Sequence, residues 1–154
     1  YTPRLSSAAS DVYKRQVQPG GRVIALDILE MPPLADVEFI LGDFTEQPAL
    51  DELETLLAHA KVDLVMSDMA PNMSGVAISD QARAMYLAEL AYEFAKDHLK
   101  PGGDLLVKMF QGEGFDAFVR DSRSAFAKVQ VRKPGASRPK SREVYLLARN
   151  RLVE

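Results

Sequence analysis

The sequence of 154 residues contains no cysteine and no tryptophan, and only two histidines. The absence of cysteine excludes a disulfide scaffold, a thiolate nucleophile and any Cys-based zinc or iron–sulfur site. His59 and His98 are too few and too far apart to indicate a metal site, so we expect no metal. No apolar run approaches the ~18–20 residues of a transmembrane helix, and no signal peptide is recognisable. We therefore expect a cytoplasmic protein that does not enter a membrane.

The remaining composition is typical of a globular domain, with 47% hydrophobic and 27% charged residues. The net charge of −3 is unevenly distributed along the chain. Residues 1–119 carry nine Lys and Arg against nineteen Asp and Glu, whereas residues 120–151 carry ten against two. A basic segment on an acidic domain indicates either a polyanionic partner or a solvated basic surface, and charge alone does not choose between them.

The first sixteen residues differ from the rest of the chain. They do not begin with Met, and they show neither strand alternation nor a helical stripe. The run from 6 to 16 resembles a spurious leader of the kind found on translated sequence fragments. We therefore exclude residues 1–16 from the fold assignment and expect the domain to occupy residues 17–154.

Beyond residue 17, short apolar runs alternate with longer helical patterns. The runs predict strands at residues 22–26, 37–41, 62–66, 105–109, 129–131 and 144–148. Helical periodicity predicts helices over 50–59, 82–99 and 115–126, with Lys-Pro-Gly-Gly at 100–103 ending the second through a left-handed glycine. This alternation predicts an α/β fold with a mainly parallel sheet, and the last two strands are expected to form an antiparallel hairpin.

Candidate site residues follow the strands, because open parallel sheets bind ligands at the carboxyl ends of their strands. Asp27 could accept the hydroxyls of a nucleotide ribose, or it could cap a turn. Asp43 could bind an exocyclic amine and Phe44 could cover a base, although Gly42-Asp43-Phe44 also suits a common turn. Asp68 could bind an ammonium group, orient a reacting hydroxyl or cap its loop.

Two further charged residues are candidates for chemistry. Lys108 lies on an otherwise apolar strand, where burial of an amine is costly unless the amine is paired or functional. Burial and a neighbouring cation turn a lysine into a base, whereas an ammonium that reaches water from an edge strand has no such role. Glu143 is one of two acids in the basic segment and is expected beside the strand of Lys108. It could orient Lys108 or its substrate, or it could form a surface ion pair.

Four motifs together resemble the FtsJ family of methyltransferases. They are Asp-Met-Ala-Pro-Asn-Met-Ser-Gly at 68–75, Arg-Ala-Met-Tyr-Leu at 83–87, Val-Lys-Met-Phe-Gln-Gly-Glu-Gly-Phe at 107–115, and the segment from Arg-Lys-Pro to Ser-Arg-Glu-Val-Tyr at 132–145. The resemblance extends from residue 17 to about residue 149. It implies a Rossmann-like, S-adenosyl-L-methionine-dependent methyltransferase sheet. The implied reaction is methyl transfer to the ribose 2′-oxygen of a uridine in large-subunit (23S) ribosomal RNA.

The resemblance also implies roles for individual residues. Contacts to S-adenosyl-L-methionine correspond to Asp27 at the ribose, Asp43 and Phe44 at the adenine, and Asp68 at the methionine end. The family has a Lys–Asp–Lys–Glu catalytic tetrad, and its last three members correspond to Asp68, Lys108 and Glu143. In this correspondence Lys108 is the proton acceptor.

The implied partner is large-subunit ribosomal RNA or the 50S subunit, bound by a monomer. RNA phosphates are expected to contact the basic segment, whose candidate residues are Arg132, Lys133, Arg138, Lys140 and Arg142.

Two parts of the family pattern are absent from this sequence. The glycine-rich cofactor loop Asp-Leu-Gly-x-x-Pro-Gly-Gly-Trp does not occur, and neither does the first lysine of the tetrad. Lys14 lies only thirteen residues before Asp27, too close for a strand, loop and helix between them. We therefore expect 17–154 to be a partial catalytic domain that lacks the first strand and the glycine loop. The complete enzyme is expected to be active, and this chain by itself inactive.

Three alternatives compete with this interpretation. A nicotinamide-dependent oxidoreductase could use Asp27, but no Tyr-x-x-x-Lys pair for hydride transfer is present. Amino-methyltransferases of bases use an Asn/Asp-Pro-Pro-aromatic loop, whereas this chain has Asp68-Met69-Ala70-Pro71. A non-catalytic RNA-binding module would keep the basic segment, but RNA affinity alone requires neither Asp68 nor Glu143.

Overall fold

The computed structural model describes residues 21–30, 32–133 and 142–153. The leader proposed at 1–16 and two of the RNA-binding candidates, Arg138 and Lys140, lie outside these residues. The described chain falls into two compact units, one ending at His59 and the other beginning at Ala60.

The first unit contains two strands and a helix. Strands β1 (Val23–Asp27) and β2 (Val37–Leu41) pair in parallel from Val23↔Val37 to Asp27↔Leu41. Helix α1 (Gln47–Leu57) begins three residues before the predicted start, because Pro48 is well suited to the first turn of a helix. Its buried side chains recur at intervals of four residues: Ala49, Leu53 and Leu57.

The second unit is a four-stranded mixed sheet with two helices. Its elements are β3 (Val62–Ser67), α2 (Ala77–His98), β4 (Leu99–Phe110), α3 (Phe115–Ala125), β5 (Phe126–Arg132) and β6 (Glu143–Arg151). The strand order is β3-β4-β6-β5, with β3 and β4 parallel and the β4–β6 and β5–β6 pairs antiparallel. This arrangement confirms the α/β class, the antiparallel ending and the position of the last strand beside β4.

The core of the second unit lies between one face of the sheet and the two helices. Alternate residues of β4 and β6 are almost completely inaccessible: Leu105, Val107, Met109, Val144, Leu146 and Ala148. Helix α2 contributes Ala88, Ala91 and Ala95, whose small side chains let the helix lie close to the sheet. Aromatic contacts join α2 to α3 and β5, since the Tyr92 ring lies 5.2 Å from Phe118 and 6.4 Å from Phe126.

Helix α2 differs from its predicted bounds at both ends. It begins at Ala77 rather than 82 and ends at His98, and Leu99 is already extended with ψ 138°. The prediction that Gly102 and Gly103 cap this helix is wrong, since both lie inside β4. The space at Gly103 is tight, because a Cβ there would lie 3.0 Å from the Lys100 carbonyl oxygen and 3.1 Å from that of Asp63 on β3. None of the helices in the described parts of the chain is long and apolar enough to cross a membrane.

Candidate active site

The structure brings three of the predicted residues, Asp68, Lys108 and Glu143, into contact. The Lys108 side chain is 2% exposed, and its Nζ lies 2.9 Å from Asp68 Oδ1 and 3.5 Å from Glu143 Oε1. Val107 and Met109 point into the core, so strand alternation places Lys108 on the opposite face of the sheet. Lys108 is therefore buried and paired, and its ammonium does not reach water as the alternative of an edge lysine would require.

Strand register explains why these side chains meet. The parallel pairing of β3 with β4 ends at Ser67↔Val107, so Asp68 and Lys108 both follow directly after the last paired residues. On the other side of β4, antiparallel pairing continues to Phe110↔Glu143. The carboxyl end of β3 and the amino end of β6 therefore flank Lys108 from both sides.

Charge compensation makes this burial tolerable. A lone buried ammonium would lose its hydration without replacement, whereas two carboxylates and their hydrogen bonds offset that loss. The acidic side chains are 19% and 22% exposed, so the cluster opens to solvent through Asp68 and Glu143. Within the described residues, no hydrogen bond or ion pair involves the second oxygen of Asp68, Oδ2. The cluster can therefore hold an amine in place and still accept a hydrogen bond from a ligand.

Tyr145 also belongs to the cluster, and the sequence interpretation missed it. Its hydroxyl donates a hydrogen bond of 3.0 Å to Asp68 Oδ1, the same oxygen that Lys108 contacts. Tyr145 is directly opposite Lys108 in the β4–β6 register. The signal was available, because residues two apart on a strand share a face and Tyr145 follows Glu143 by two.

The cofactor candidates Asp27 and Asp43 lie in the first unit, at adjacent strand ends. The Gly42 amide donates to the Asp27 carbonyl oxygen at 2.9 Å, which joins the ends of β1 and β2. Asp27 Oδ1 accepts the Leu29 amide at 3.1 Å, and Asp43 Oδ1 accepts the amide and hydroxyl of Thr45 at 2.8 and 2.6 Å. Both carboxylates thus shape turns, which was the alternative interpretation of each.

After these turn contacts, the carboxylates of Asp27 and Asp43 each keep one oxygen that can accept a hydrogen bond from a ligand. No described residue bonds to Oδ2 of Asp27 or of Asp43. Ionised carboxylates are acceptors only, so they suit ligand hydroxyls and amines. Phe44 is half-buried beside Asp43. The residues present therefore fit the donor groups of a nucleoside such as that of S-adenosyl-L-methionine.

Three RNA-binding candidates are described: Arg132, Lys133 and Arg142, all exposed. Arg132 pairs with Tyr145, which pairs with Lys108, so these three residues form one row across β5, β6 and β4. Neighbouring strands are ~4.8 Å apart, which places the Arg132 backbone about 10 Å from that of Lys108. The Arg142 carbonyl oxygen accepts the Gln111 amide at 2.9 Å, which holds this end of the basic segment beside β4.

The loop that follows Asp68 is fixed by a buried carboxylate in the first turn of α2. Asp80 Oδ1 accepts the amide and hydroxyl of Ser74 at 2.9 and 2.7 Å, and its Oδ2 accepts the Gly75 amide at 3.2 Å. Arg83 forms an ion pair with Asp80 and also donates to the Asn72 carbonyl oxygen. The hydrogen bonds from Ser74, followed by that from Gly75 and the charge of Arg83, lower the pKa of the Asp80 carboxyl. In residues 21–30, 32–133 and 142–153, no three His, Asp or Glu side chains are grouped to hold a metal ion.

Comparison with known proteins identifies the family. The model of the FtsJ-like methyltransferases matches residues 8–151. A ribosomal RNA large subunit methyltransferase E from Azoarcus sp. (strain BH72) is 61% identical over 136 residues, which are 88% of this chain and 66% of that protein. The protein of the same name from Stenotrophomonas maltophilia (strain K279a) is 57% identical over 142 residues, 92% of this chain and 68% of that protein. The chain thus spans about two thirds of the length of these relatives.

A solved structure agrees with these sequence relatives. The crystal structure of a Plasmodium falciparum protein, described as a ribosomal RNA methyltransferase, superimposes with a TM-score of 0.74 at 27% identity. The match covers 86% of this chain and 74% of that one. Fold and sequence together define a methyltransferase with a Rossmann-like sheet. The chain belongs to the FtsJ-like methyltransferase family, which favours this class over the oxidoreductase alternative.

Proposed function

We propose that this protein methylates the ribose 2′-oxygen of a uridine in large-subunit (23S) ribosomal RNA, with S-adenosyl-L-methionine as the methyl donor. The observation that carries the proposal is the buried Lys108 amine, held between Asp68 and Glu143 at 2.9 and 3.5 Å. The names of the relatives from Azoarcus and Stenotrophomonas support the choice of ribosomal RNA.

The proposed reaction requires a base, because a ribose hydroxyl by itself is a weak nucleophile. A positioned amine can withdraw the proton of that hydroxyl. Acting as the base requires the neutral amine of Lys108. It would then receive the proton as the 2′-oxygen bonds to the methyl carbon and the carbon–sulfur bond of the donor breaks, its electron pair staying on sulfur. As the ammonium, Lys108 would instead orient a lone pair of the hydroxyl oxygen. Asp68 and Glu143 hold Lys108 against rotation, and Tyr145 restrains Asp68. Correct placement of the reacting atoms contributes much of the rate enhancement in such reactions.

Binding of the donor uses carboxylates at strand ends. When bound, S-adenosyl-L-methionine supplies a methyl group already activated on a sulfonium. We propose that Asp27 accepts hydrogen bonds from its ribose, that Asp43 and Phe44 contact its adenine, and that Asp68 contacts its methionine end. The support is the unused acceptor oxygen that each aspartate keeps among the described residues.

RNA binding is proposed for the basic segment. Arg132, Lys133 and Arg142 would contact phosphates next to the row that contains Lys108, and Arg138 and Lys140 complete the proposed set. The four groups of the Lys108 cluster come from one chain, so the proposal requires no second copy and we expect a monomer. With ribosomal RNA or the 50S subunit as substrate, we place the activity in the cytoplasm.

Tritiated methyl transfer to undermethylated large ribosomal subunits tests the proposal, using the complete protein that contains this chain. We expect 2′-O-methyluridine after RNA hydrolysis, because the proposed acceptor is a ribose oxygen. Lys108→Ala should abolish turnover while leaving S-adenosyl-L-methionine binding intact. The matched control is Lys100→Ala, which removes an exposed lysine from β4.

Two results would count against the proposal. RNA binding without methyl transfer by the wild-type protein would favour the non-catalytic RNA-binding module. Retained turnover in Lys108→Ala would remove Lys108 from the catalytic role.

A further inference from the structure

We propose that Asp80 and Gln81, consecutive residues near the start of α2, are positioning residues that set the geometry of Asp68 and Lys108. Each holds one of the two loops that follow these residues, and we name the pair the loop clamp. The proposal rests on the function proposed above, because it concerns the alignment of the same site.

The Asp80 half of the clamp holds the loop after Asp68. Asp80 is buried, and it accepts three hydrogen bonds from Ser74 and Gly75. Arg83 extends this anchor by linking Asp80 to the carbonyl oxygen of Asn72. The loop is therefore fixed to α2 at Asn72, Ser74 and Gly75, beginning four residues after Asp68.

The Gln81 half holds the loop after Lys108. Gln81 is 6% exposed, and its Nε2 donates to the carbonyl oxygens of Phe110 at 2.9 Å and Glu113 at 3.2 Å. Its Oε1 is buried without a hydrogen-bond partner among the described residues. An unsatisfied buried acceptor costs stability. Gln81 therefore gives up part of its hydrogen-bonding capacity in order to hold the two carbonyls.

The backbone at Gly112 is fitted to this amide. Gly112 has φ +151°, and a Cβ built there would lie 2.8 Å from Gln81 Cδ. The loop can therefore approach the Gln81 amide closely only with glycine at this position. Phe110, which Gln81 contacts, is also the residue opposite Glu143 in the sheet.

A clamp is needed because the sheet does not align Asp68 with Lys108. Pairing between β3 and β4 ends at Ser67↔Val107, one residue before each of them. Lys108 continues in register with β6, but Asp68 leaves the sheet. The backbone beyond Asp68 is thus restrained by its anchor on α2, and α2 is tied to β4 through Gln81. Displacement of a catalytic group by ~1 Å can cost about 100-fold in rate.

The test combines kinetics with a direct signal from Lys108. Gln81→Leu removes both donors at similar volume, Asp80→Ala removes all acceptors, and Asp80→Asn keeps one acceptor oxygen. In the complete protein we expect Gln81→Leu and Asp80→Ala to lower kcat by about 10-fold or more, with the KM for S-adenosyl-L-methionine within about twofold of wild type. Asp80→Asn should fall between Asp80→Ala and wild type.

The signal is the Nζ resonance of Lys108 in protein labelled with ¹⁵N-lysine, assigned by its absence in Lys108→Gln. We expect it to shift or broaden in each clamp variant, because the Lys108–Asp68 contact changes. The matched control is Gln47→Leu, which removes an exposed glutamine that donates to Asp51 on α1. This control should change neither kcat nor the Lys108 resonance.

Each outcome decides between the two proposals. The clamp is overturned if kcat falls only in proportion to the fraction of folded protein and the Lys108 resonance is unchanged. That result leaves the proposed function intact. If the wild-type protein transfers no methyl group to the RNA, the proposed function fails, whereas full turnover in Lys108→Ala removes only the catalytic role of Lys108. In both cases the clamp is judged by the resonance alone. Should Gln81→Leu not fold, Asp80→Asn tests the other half, and a wild-type kcat with an unmoved resonance overturns the proposal.

Discussion

At the scale of single residues, Lys108 shows how a charge is kept inside a sheet. Its ammonium is buried because one face of β4 belongs to the core and the other is enclosed by Asp68, Glu143 and Tyr145. Breaking such a pair by removing one partner is costly, since the remaining charge stays buried and uncompensated. The cluster therefore works as a unit, and its members are best separated by conservative substitutions.

Tyr145→Phe removes one hydrogen bond from this unit while keeping the ring. We expect kcat for methyl transfer to fall roughly 3- to 10-fold, because a hydrogen bond contributes about 1 kcal/mol and Asp68 would become less restrained. Single-turnover kinetics with the complete protein measure this. Tyr86→Phe is the matched control, because Tyr86 is 51% exposed on α2. Equal rates for wild type and Tyr145→Phe would show that Asp68 does not need the tyrosine.

At the scale of elements, helix α2 contributes both to the core and to the candidate site. One face of β4 and β6 forms the core with α2 and α3, and the other carries the Lys108 cluster. Helix α2 also starts at the site, where Asp80 and Gln81 meet the two loops. Stability and alignment of the site therefore depend on the same helix.

Leu146→Ala tests the core contribution of β6. Leu146 is fully buried at 0% exposure, so its truncation leaves a cavity between the sheet and the helices. We expect a loss of about 2–5 kcal/mol in the free energy of unfolding, measured by urea denaturation. Leu29→Ala, at a leucine that is 59% exposed, should change stability by less than about 0.5 kcal/mol. A loss below about 1 kcal/mol for Leu146→Ala would contradict the packing described for β6.

The Asp80 anchor predicts a dependence of stability on pH. The pKa of Asp80 is lowered in the folded protein, first by the hydrogen bonds from Ser74. Its contribution is therefore fully present above the unfolded pKa of about 3.9, and is lost as the pH falls through the lower folded value. Urea unfolding between about pH 7 and pH 2.5 should show wild type losing its advantage over Asp80→Asn at the acid end. A constant difference between the two proteins across this range would exclude the anchor as the cause.

At the scale of the whole molecule, the structure shows where the basic segment of the chain lies. The basic segment, residues 120–151, begins on α3 and ends on β6, and Arg132 lies in the same cross-strand row as Lys108. A polyanion bound there would lie next to the amine cluster. The two interpretations of the basic segment, an RNA contact and a solvated surface, can be separated by salt dependence.

We expect the triple variant Arg132→Gln, Lys133→Gln, Arg142→Gln to bind ribosomal RNA more weakly, with a shallower dependence of log K on log salt. Each lost phosphate contact should reduce the slope by about 1, because fewer counterions are released. Filter binding between about 50 and 200 mM salt measures the slope. Lys61→Gln with Lys100→Gln, two exposed lysines outside the basic segment, is the control pair. An unchanged slope in the triple variant would identify the segment as a solvated surface.

The missing cofactor motif gives a second prediction at this scale. The family's glycine-rich loop does not occur in this sequence, so we expect this chain alone to bind S-adenosyl-L-methionine more weakly than micromolar. Isothermal titration with the 154-residue chain measures the affinity. Affinity at micromolar level or better would show that Asp27, Asp43 and Asp68 suffice for binding.

Local patterns in the sequence were enough to predict the strands and the fold class. Each predicted strand overlaps an observed one, because alternation and short apolar runs directly encode which face of a strand is buried. Boundaries were less predictable. The glycines at 102 and 103 suit a helix cap and a strand equally well, and only the structure shows that the helix ends at His98 and that both glycines lie in β4.

The candidate site was likewise predictable in part from the sequence. Asp68 and Glu143 could be chosen from their type and their positions at strand ends, and Lys108 as a charge within an apolar strand. Their roles remain predictions. Their separations, the contact of Tyr145 with Asp68, and the hold of Asp80 and Gln81 on two loops depend on residues up to 77 positions apart in the chain. Such contacts follow from strand order and register, which one sequence does not display. Which residues can carry the chemistry therefore follows from the sequence alone, because residue type is local. How those residues are aligned follows only from the folded structure, because their contacts depend on the packing of the sheet against α2.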